Sequence, residues 1–354
     1  MHTSFSMKDL GPLSYFLGIS VTSDEHGSFL SQAKYAAALL TKAGMADCKP
    51  CSSPMIVKAV CSTTDSLPFA QPSLYRSLVG GLQYLTITRP DLSFAVNQAC
   101  QFMHLPTNAH FHAVKRLLRY VKGTLHHGLF FTPSSFALSA FSDSNWASDS
   151  LDRRSTSGYC VYLGSNLISW SAKKQATVSR SSTEAEYRAL AHATAELTWI
   201  QQLLQDFSVS SSPVPVLWCD SLSAMALASN PVFHSRSKHI EIDCHFIREK
   251  VVAKQIELKY IPTMDQVADI FTKPLPPSRF HYLRDKLLVV SSPISLRGAE
   301  EVCSSSAHGH QSSSAHCTAH CTQISSPSAH GQLSLSVRPA PSQICNASGS
   351  SCGG

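Results

Sequence analysis

Acidic side chains recur at the ends of predicted strands and the starts of predicted helices between residues 140 and 270. In chain order they are Asp143 after the apolar LFFTPSSFALSAF, Glu184 and Glu186 in the first turns of a long helical run, Asp220 at the end of VLWCD, and Asp269 in QVADIF. Hydrolysis of a phosphodiester at neutral pH needs an activated water, a stabilised leaving oxygen and neutralised phosphate charge. Two divalent cations held about 4 Å apart by carboxylates supply all three. The set therefore predicts a metal-dependent hydrolytic site.

Each of these carboxylates also has an ordinary structural role open to it. An Asp that ends a strand is often a capping residue, and acids in the first turn of a helix interact favourably with its dipole. Asp149 and Asp152, close to Asp143 in FSDSNWASDS, are interpreted as solvated turn residues, and Trp146 as a packing residue. Chemistry is favoured because four acids occur in the required order on the required elements.

The segment from 131 to 290 alternates between strand and helix patterns that would bring these acids together. Strand patterns at hairpin-like spacing come first, and later strands return through helical crossovers, which predicts a mixed sheet with helices packed on it. The predicted strands are 129–144, 157–174 (a hairpin), 177–182, 214–221 and 255–262, and the predicted helices are 182–207, 221–229, 239–254 and 264–275.

Residues 1–130 carry one hairpin pattern and several helical patterns. LSYFLGISV (13–21), the turn EHGS and the following FLSQ predict the hairpin. The predicted helices are QAKYAAALLTKAGM, SLYRSLVGGLQYLTI, PDLSFAVNQACQFM and NAHFHAVKRLLRYVKGT. In the last helix one face is basic and consists of Lys115, Arg116, Arg119 and Lys122. That face is either an ordinary solvated surface or one that follows a phosphate backbone.

The composition is typical of a soluble protein with a mild preference for an anionic partner. The formal net charge is +6, with 17 further histidines. The absence of a long apolar stretch or a signal-like N-terminus predicts an intracellular protein, cytoplasmic or nuclear, with reduced cysteines. Residues 291–354 lack apolar periodicity and are predicted to be a disordered, low-complexity tail. There, His316, Cys317, His320 and Cys321 have a spacing compatible with a soft metal, although low complexity is the simpler interpretation.

Long stretches of the sequence resemble the Pol polyproteins of copia-type LTR retrotransposons. FSDSNWASDSLDRRSTSGYCVYLG, SRSSTEAEYRALAHATAEL, LWCDSLSAMALASNP and DQVADIFTKPL resemble the ribonuclease H domain of that family. MKDLGPLSYFLGISV and YRSLVGGLQYLTITRPDLSFAVNQACQFMHLPT resemble the end of its reverse transcriptase. The resemblance implies a mostly helical reverse-transcriptase thumb/connection remnant with a primer-grip hairpin (1–130), a ribonuclease H domain (131–290) and the tail (291–354).

The resemblance also implies a fold and a reaction. The fold is an α/β, ribonuclease H-like, five-stranded mixed sheet with flanking helices, whose acids hold two Mg²⁺ ions, with Mn²⁺ as an alternative. The residues at matching positions are Asp143, Glu186, Asp220 and Asp269. Glu186 is preferred to Glu184 because a small residue, Ala189, follows it by three positions, as in the wider ribonuclease H pattern. The implied reaction is hydrolysis of the RNA strand of an RNA–DNA hybrid.

A nucleic-acid partner follows from the same resemblance. Candidate phosphate contacts are Arg153, Arg154, Lys173, Lys174, Arg180, Lys115 and Arg119. The paired aspartates of the polymerase palm would lie before residue 1, so reverse transcription is not expected. The alternative to an active ribonuclease H is a non-catalytic Pol remnant that keeps the fold and a basic nucleic-acid-binding surface. The sequence specifies no oligomeric state.

Overall fold

A hairpin and four helices precede the central sheet. The computed structural model describes residues 11–57, 66–149, 151–209, 213–229 and 241–292. Its first elements are β1 (Tyr15–Phe16), β2 (Ile19–Asp24), β3 (Gly27–Ser31), α1 (Ala33–Lys42), α2 (Pro72–Leu85), a 3-10 turn (Pro90–Leu92), α3 (Ser93–Cys100), α4 (Asn108–Gly123) and β4 (His127–Phe131). The hairpin and the four helices agree with the sequence-based prediction.

The central sheet has five strands in the order β7-β6-β5-β8-β9. The elements that form and flank it are β5 (Leu138–Asn145), β6 (Thr156–Leu163), β7 (Asn166–Lys174), α5 (Ser182–Asp206), β8 (Val216–Cys219), α6 (Leu222–Ser229), α7 (Glu241–Val252), β9 (Glu257–Tyr260), two 3-10 turns (Thr263–Asp265 and Val267–Phe271), α8 (Pro277–Lys286) and β10 (Val289–Ser291). Strands β5, β6 and β7 are antiparallel neighbours, whereas β5, β8 and β9 run parallel. The predicted α/β fold, a five-stranded mixed sheet with flanking helices, is confirmed.

Three predicted elements take a different form. The strand predicted over 129–144 is two strands: β4 ends at Phe131 and β5 begins at Leu138. Pro133, which has no N–H to donate to a ladder, lies in the segment between them. Residues 177–182 form no strand; the hydroxyl of Ser181 instead accepts a hydrogen bond from the N–H of Glu184 and caps α5. The helix predicted over 264–275 is the pair of 3-10 turns.

The chain returns to the first sheet after the central one. Strand β10 pairs with β4, which gives a second five-stranded sheet in the order β1-β2-β3-β4-β10. The prediction had no counterpart of α8 or β10. The described residues from 11 to 292 fall within one compact unit, and the boundary near residue 130 stays a prediction.

The two faces of the central sheet border two different cores. Successive side chains of a strand point to opposite faces, so Leu138 and Ala140 of β5 pack with α5, α6 and α7. The opposite face, which includes Phe141 and Tyr162, packs with α3, α8 and the second 3-10 turn. That second core continues without interruption into α1, α2 and α4.

Gly158 allows the second 3-10 turn to lie directly on the sheet. It pairs with Asp143 across the β5–β6 ladder. A Cβ at this position would lie 2.6 Å from the Cβ of Phe271 and 2.7 Å from Cγ2 of Thr272. Only glycine fits this approach, which brings the turn that carries Asp269 next to the strand that carries Asp143.

Several sequence-based predictions fall outside the described residues. They include the low-complexity tail from residue 293 onward and the possible metal ligands His316, Cys317, His320 and Cys321. Within the described ranges, no helix has the length and apolar character needed to cross a membrane.

Candidate active site

Asp143 lies near the C-terminal end of β5, the central strand of the sheet. Its side chain is buried. One carboxylate oxygen accepts a hydrogen bond from the hydroxyl of Thr272 and lies 3.5 Å from Nζ of Lys273. Thr272 and Lys273 belong to the segment that packs directly on the sheet at Gly158. The packing of that segment therefore fixes the orientation of the Asp143 carboxylate.

Asp220 directly follows β8, the parallel neighbour of β5. Because the C-terminal ends of parallel strands meet at one edge of a sheet, Asp220 and Asp143 lie at the same edge. The Thr263 hydroxyl donates to one oxygen of Asp220 at 3.0 Å, and Nε2 of Gln266 donates to the other at 3.3 Å. The loop after β9 therefore holds Asp220.

The two glutamates at the start of α5 differ in their contacts. Glu184 accepts a hydrogen bond from the backbone N–H of Arg180 at 2.9 Å and forms an ion pair with Arg188 at 2.8 Å. Each glutamate has one buried oxygen without a hydrogen bond among the described residues, but the oxygen of Glu184 is the one paired with Arg188, whereas that of Glu186 has no such cation. Its carboxylate, that of Asp220 and the sulfur of Cys219 each offer one atom within 4.8 Å of the others. The geometry thus turns Glu186, not Glu184, toward Asp220.

Asp269 completes the cluster from the second 3-10 turn. It is buried, and its carboxylate forms ion pairs with Nζ of Lys273 at 2.8 Å and with the guanidinium of Arg279 at 3.4 Å. Lys273 thereby lies between Asp143 and Asp269. In this arrangement one ammonium group partly neutralises two carboxylates.

Burial and mutual repulsion disfavour the ionised forms of two of these acids. Burial raises the pKa of Asp143 to about 6; Lys273 opposes this rise and the charge of Asp269 adds to it. Burial, reinforced by the charges of Asp143 and Asp220, raises the pKa of Glu186 to about 9. A divalent cation would relieve this repulsion and give the unpartnered oxygen of Glu186 a ligand role. All four side chains offer oxygen ligands, the type that Mg²⁺ prefers, so the residues fit such an ion.

Sequence reasoning missed the residues that support the acids. Gln266 is fully buried, and its amide group donates to the Ser142 carbonyl at 3.0 Å as well as to Asp220, while its oxygen accepts from the N–H of Ala268 at 3.2 Å. Thr272 and Lys273 lie within DQVADIFTKPL, one of the segments that resemble ribonuclease H. That resemblance is the feature of the sequence that could have identified them. Cys219 is buried, and burial raises its pKa to about 12, so it lines the site as a neutral thiol.

The predicted phosphate contacts fall into two groups. Arg153, Lys173 and Arg180 are exposed, and within the described ranges their side chains make no hydrogen bond or ion pair. The others are engaged: Lys174 with Asp149 at 2.5 Å and Asp152 at 2.8 Å, Arg154 with Asp152 at 3.5 Å, Arg119 with the Lys49 carbonyl at 2.7 Å, and Lys115 with the ring of Phe111 at 5.0 Å. Asp152 is exposed, as interpreted from the sequence, whereas Asp149 is partly buried, and both carboxylates bind Lys174.

Comparison with known proteins gives similarity along most of the chain. The profile of the family described as reverse transcriptase (RNA-dependent DNA polymerase) matches residues 1–57. The retrovirus-related Pol polyprotein from transposon RE2 of Arabidopsis thaliana is 45% identical over 295 residues, which are 83% of this chain and 20% of that protein. An uncharacterized mitochondrial protein of the same plant is 57% identical over 200 residues, 56% of this chain and 83% of that protein. The chain thus spans about a fifth of the length of the Pol polyprotein it matches.

A solved structure also aligns, loosely. The N-terminal ribonuclease H domain of a Mycobacterium tuberculosis protein gives a TM-score of 0.29 at 14% identity, over 43% of this chain and 98% of that one. An alignment this loose assigns no fold by itself. The strand order and directions of the central sheet define the fold instead.

Proposed function

We infer that the chain belongs to the Pol family of copia-type LTR retrotransposons, to whose members it is similar along most of its length. From this premise we propose that it carries a ribonuclease H that hydrolyses the RNA strand of RNA–DNA hybrids with two divalent cations. The observation that carries the proposal is the convergence of four acids from four elements at one edge of the central sheet. They are Asp143, Glu186, Asp220 and Asp269. The ordinary capping roles of single acids do not explain why the Glu186 oxygen is buried without a partner among the described residues.

The four acids would hold the cations, with Mg²⁺ as the expected ion and Mn²⁺ as an alternative. Bound divalent cations at such a site activate water and neutralise charge that develops on the phosphate. The protein's own contribution is orientation. Thr272 fixes one oxygen of Asp143, and Thr263 and Gln266 fix Asp220. These hydrogen bonds set the positions of the ligand oxygens before any substrate binds.

Recognition of a hybrid would depend on shape and charge rather than on base sequence. Proteins distinguish RNA-containing duplexes by 2′-hydroxyl and phosphate contacts across a wide, shallow minor groove. Among the predicted phosphate contacts, three have exposed side chains without an ion-pair partner in the described ranges and can therefore bind phosphate. They are Arg153, Lys173 and Arg180. We expect Lys174 and Arg119 to contribute less, since both already hold other parts of the chain.

The test uses the full chain and a labelled RNA–DNA hybrid. In Mg²⁺ we expect cleavage of the RNA strand, with no cleavage in chelator and none of double-stranded DNA. Asp143→Asn should abolish cleavage, whereas the matched Asp152→Asn, which removes a carboxylate outside the acidic cluster, should retain it. Intact hybrid after prolonged incubation with a folded sample would contradict the proposal. Binding that weakens with salt, without cleavage, would then identify the non-catalytic remnant.

A further inference from the structure

Trp146 is an exposed aromatic residue just after the end of β5, the strand that carries Asp143. It lies three residues after Asp143, yet 45% of its surface remains accessible. The sequence-based interpretation as a packing residue is therefore incomplete. Its neighbour Asn145 donates to the carbonyl of Thr272 at 3.4 Å, and the Thr272 hydroxyl binds Asp143. Trp146 thus follows directly on a residue that is tied to the acidic cluster.

Hydrogen bonds hold the indole ring in this exposed position. Its N–H donates to the carbonyl of Ser179 at 2.9 Å. The hydroxyl of Ser179 donates to Gln175 at 2.7 Å, and the amide of buried Gln175 donates to Ser157 at 2.8 Å and to the carbonyl of Ala185 at 3.0 Å. Strand β6 and helix α5 therefore anchor the loop that holds Trp146. A side chain fixed in this way loses little conformational entropy when a ligand packs on it.

A free positive charge follows directly on the residue that binds this ring. Arg180 follows Ser179, and its backbone N–H is held by Glu184 at 2.9 Å. Its guanidinium is exposed and has no ion-pair partner in the part of the chain that the structure describes. Proteins that bind nucleic-acid strands combine aromatic faces, on which bases or sugars pack, with cations that contact the backbone. A single exposed tryptophan is ordinary. This one is held by a hydrogen bond to the residue before Arg180, and it follows Asp143 by three residues.

We propose that Trp146 and Arg180 form a subsite for the strand being cut. The sugar or base of a nucleotide next to the scissile phosphate packs on the indole, and a neighbouring phosphate contacts the guanidinium. The ligand class is a polyribonucleotide strand presented in a hybrid. The inference rests on the proposed function in one respect, since the cut strand must pass over the acidic cluster.

The test measures hybrid binding by the full chain in an Asp143→Asn background, in which the substrate is not cleaved. Added Trp146→Ala should weaken binding about tenfold, the usual scale for loss of one stacking contact. Added Trp146→Phe should keep binding within about threefold, because it keeps an aromatic face. Trp199→Ala is the matched control: Trp199 is also exposed, but it lies 13 residues beyond Glu186 on α5, about 20 Å away by helical rise. Its variant should bind like the parent.

Two further measurements distinguish a stacking subsite from a purely structural role of Trp146. Quenching of indole emission on binding should be reduced in Trp146→Phe and kept in Trp199→Ala. Arg180→Ala should lower the salt dependence of binding by about one phosphate contact. Equal affinities of Trp146→Ala and Trp199→Ala for the hybrid would overturn the subsite. It would also be overturned if Trp146→Ala weakened the binding of single-stranded DNA but not that of single-stranded RNA. Cleavage by the wild-type chain is scored separately, so failure of the nuclease and failure of the subsite give different results.

Discussion

At the level of one residue, Glu186 supports the proposal that a cation binds at this edge of the sheet. Its neighbour Glu184 already has a guanidinium and a backbone N–H as partners. Among the described residues Glu186 has a buried oxygen without a partner, and both burial and neighbouring carboxylates favour its protonated form. An acid in these surroundings lowers the stability of the folded chain when it is ionised, and this loss of stability can be measured.

The pH dependence of stability follows from these shifts. The folded-state pKa values of Asp143 and Glu186 lie above the ordinary values, at about 6 and about 9. Their contribution to the free energy of unfolding is therefore present below about pH 4 and is lost as pH rises toward 9, by at most about 1.4 kcal/mol per pH unit for each proton released. Urea unfolding of the metal-free chain at a series of pH values between 4 and 9 measures this change in the free energy of unfolding.

Two comparisons complete this experiment. Glu186→Gln should flatten the alkaline part of the profile, because the glutamine does not ionise. Mg²⁺ should restore stability at high pH in the wild-type chain, since only ionised carboxylates bind the ion. A wild-type profile that is flat from pH 6 to 9 would contradict the assigned environment of Glu186.

The segment from Thr263 to Lys273 is the element that assembles the site. It supplies Asp269, holds Asp220 through Thr263 and Gln266, and places Thr272 and Lys273 against Asp143. We expect Gln266→Ala to lower Mg²⁺ affinity and turnover about 10- to 100-fold, the range for supporting residues around metal ligands. Thermal shift on Mg²⁺ addition and cleavage rates measure the two effects.

The matched control for this prediction is Gln202→Ala. Gln202 is exposed on α5, and its amide binds Asp206 at 3.3 Å, far along the helix from the acidic cluster. Its removal should leave both Mg²⁺ affinity and turnover unchanged. If Gln266→Ala lowers the melting temperature but keeps the wild-type Mg²⁺ affinity, Gln266 supports the fold and not the position of Asp220.

Sequence patterns predicted the elements with strong periodicity and failed where hydrogen bonds between distant segments decide the form. Strands β6 and β7 and helix α5 were predictable because strand patterns and helix formers repeat over many residues there. The Ser-rich 177–182 has the composition of a short strand, but Ser181 caps α5 and Gln175 ties the loop to β6. The acids were predictable from order and resemblance. Their supports, such as Gln266, were not, because no local pattern shows that one amide will contact β5 and the residue after β8.

At the scale of the whole molecule, the central sheet and the preceding helices share a core. Buried residues of β6 and β7 lie in the same cluster as residues of α2, α3 and α4; they are Cys160, Tyr162 and Leu167 on the sheet, and Leu82, Ala95, Val96, Ala99 and Leu117 on the helices. The hydroxyl of Tyr162 also donates to the carbonyl of Lys286 at 3.2 Å. The predicted boundary near residue 130 therefore separates the segment that resembles reverse transcriptase from the segment that resembles ribonuclease H. The apolar packing, however, continues across this boundary.

A truncation at this boundary tests the shared core. A fragment of residues 132–292 would expose the apolar face of β6 and β7 that α3 covers, and such faces bind dyes and associate. We expect the fragment to bind a hydrophobic dye and to melt at a lower temperature and less cooperatively than the full chain. Circular dichroism and dye fluorescence on both proteins provide the measurement. A fragment with the melting temperature of the full chain and no dye binding would show that the sheet is stable without the helices, and the boundary near 130 would then separate two independently folding domains.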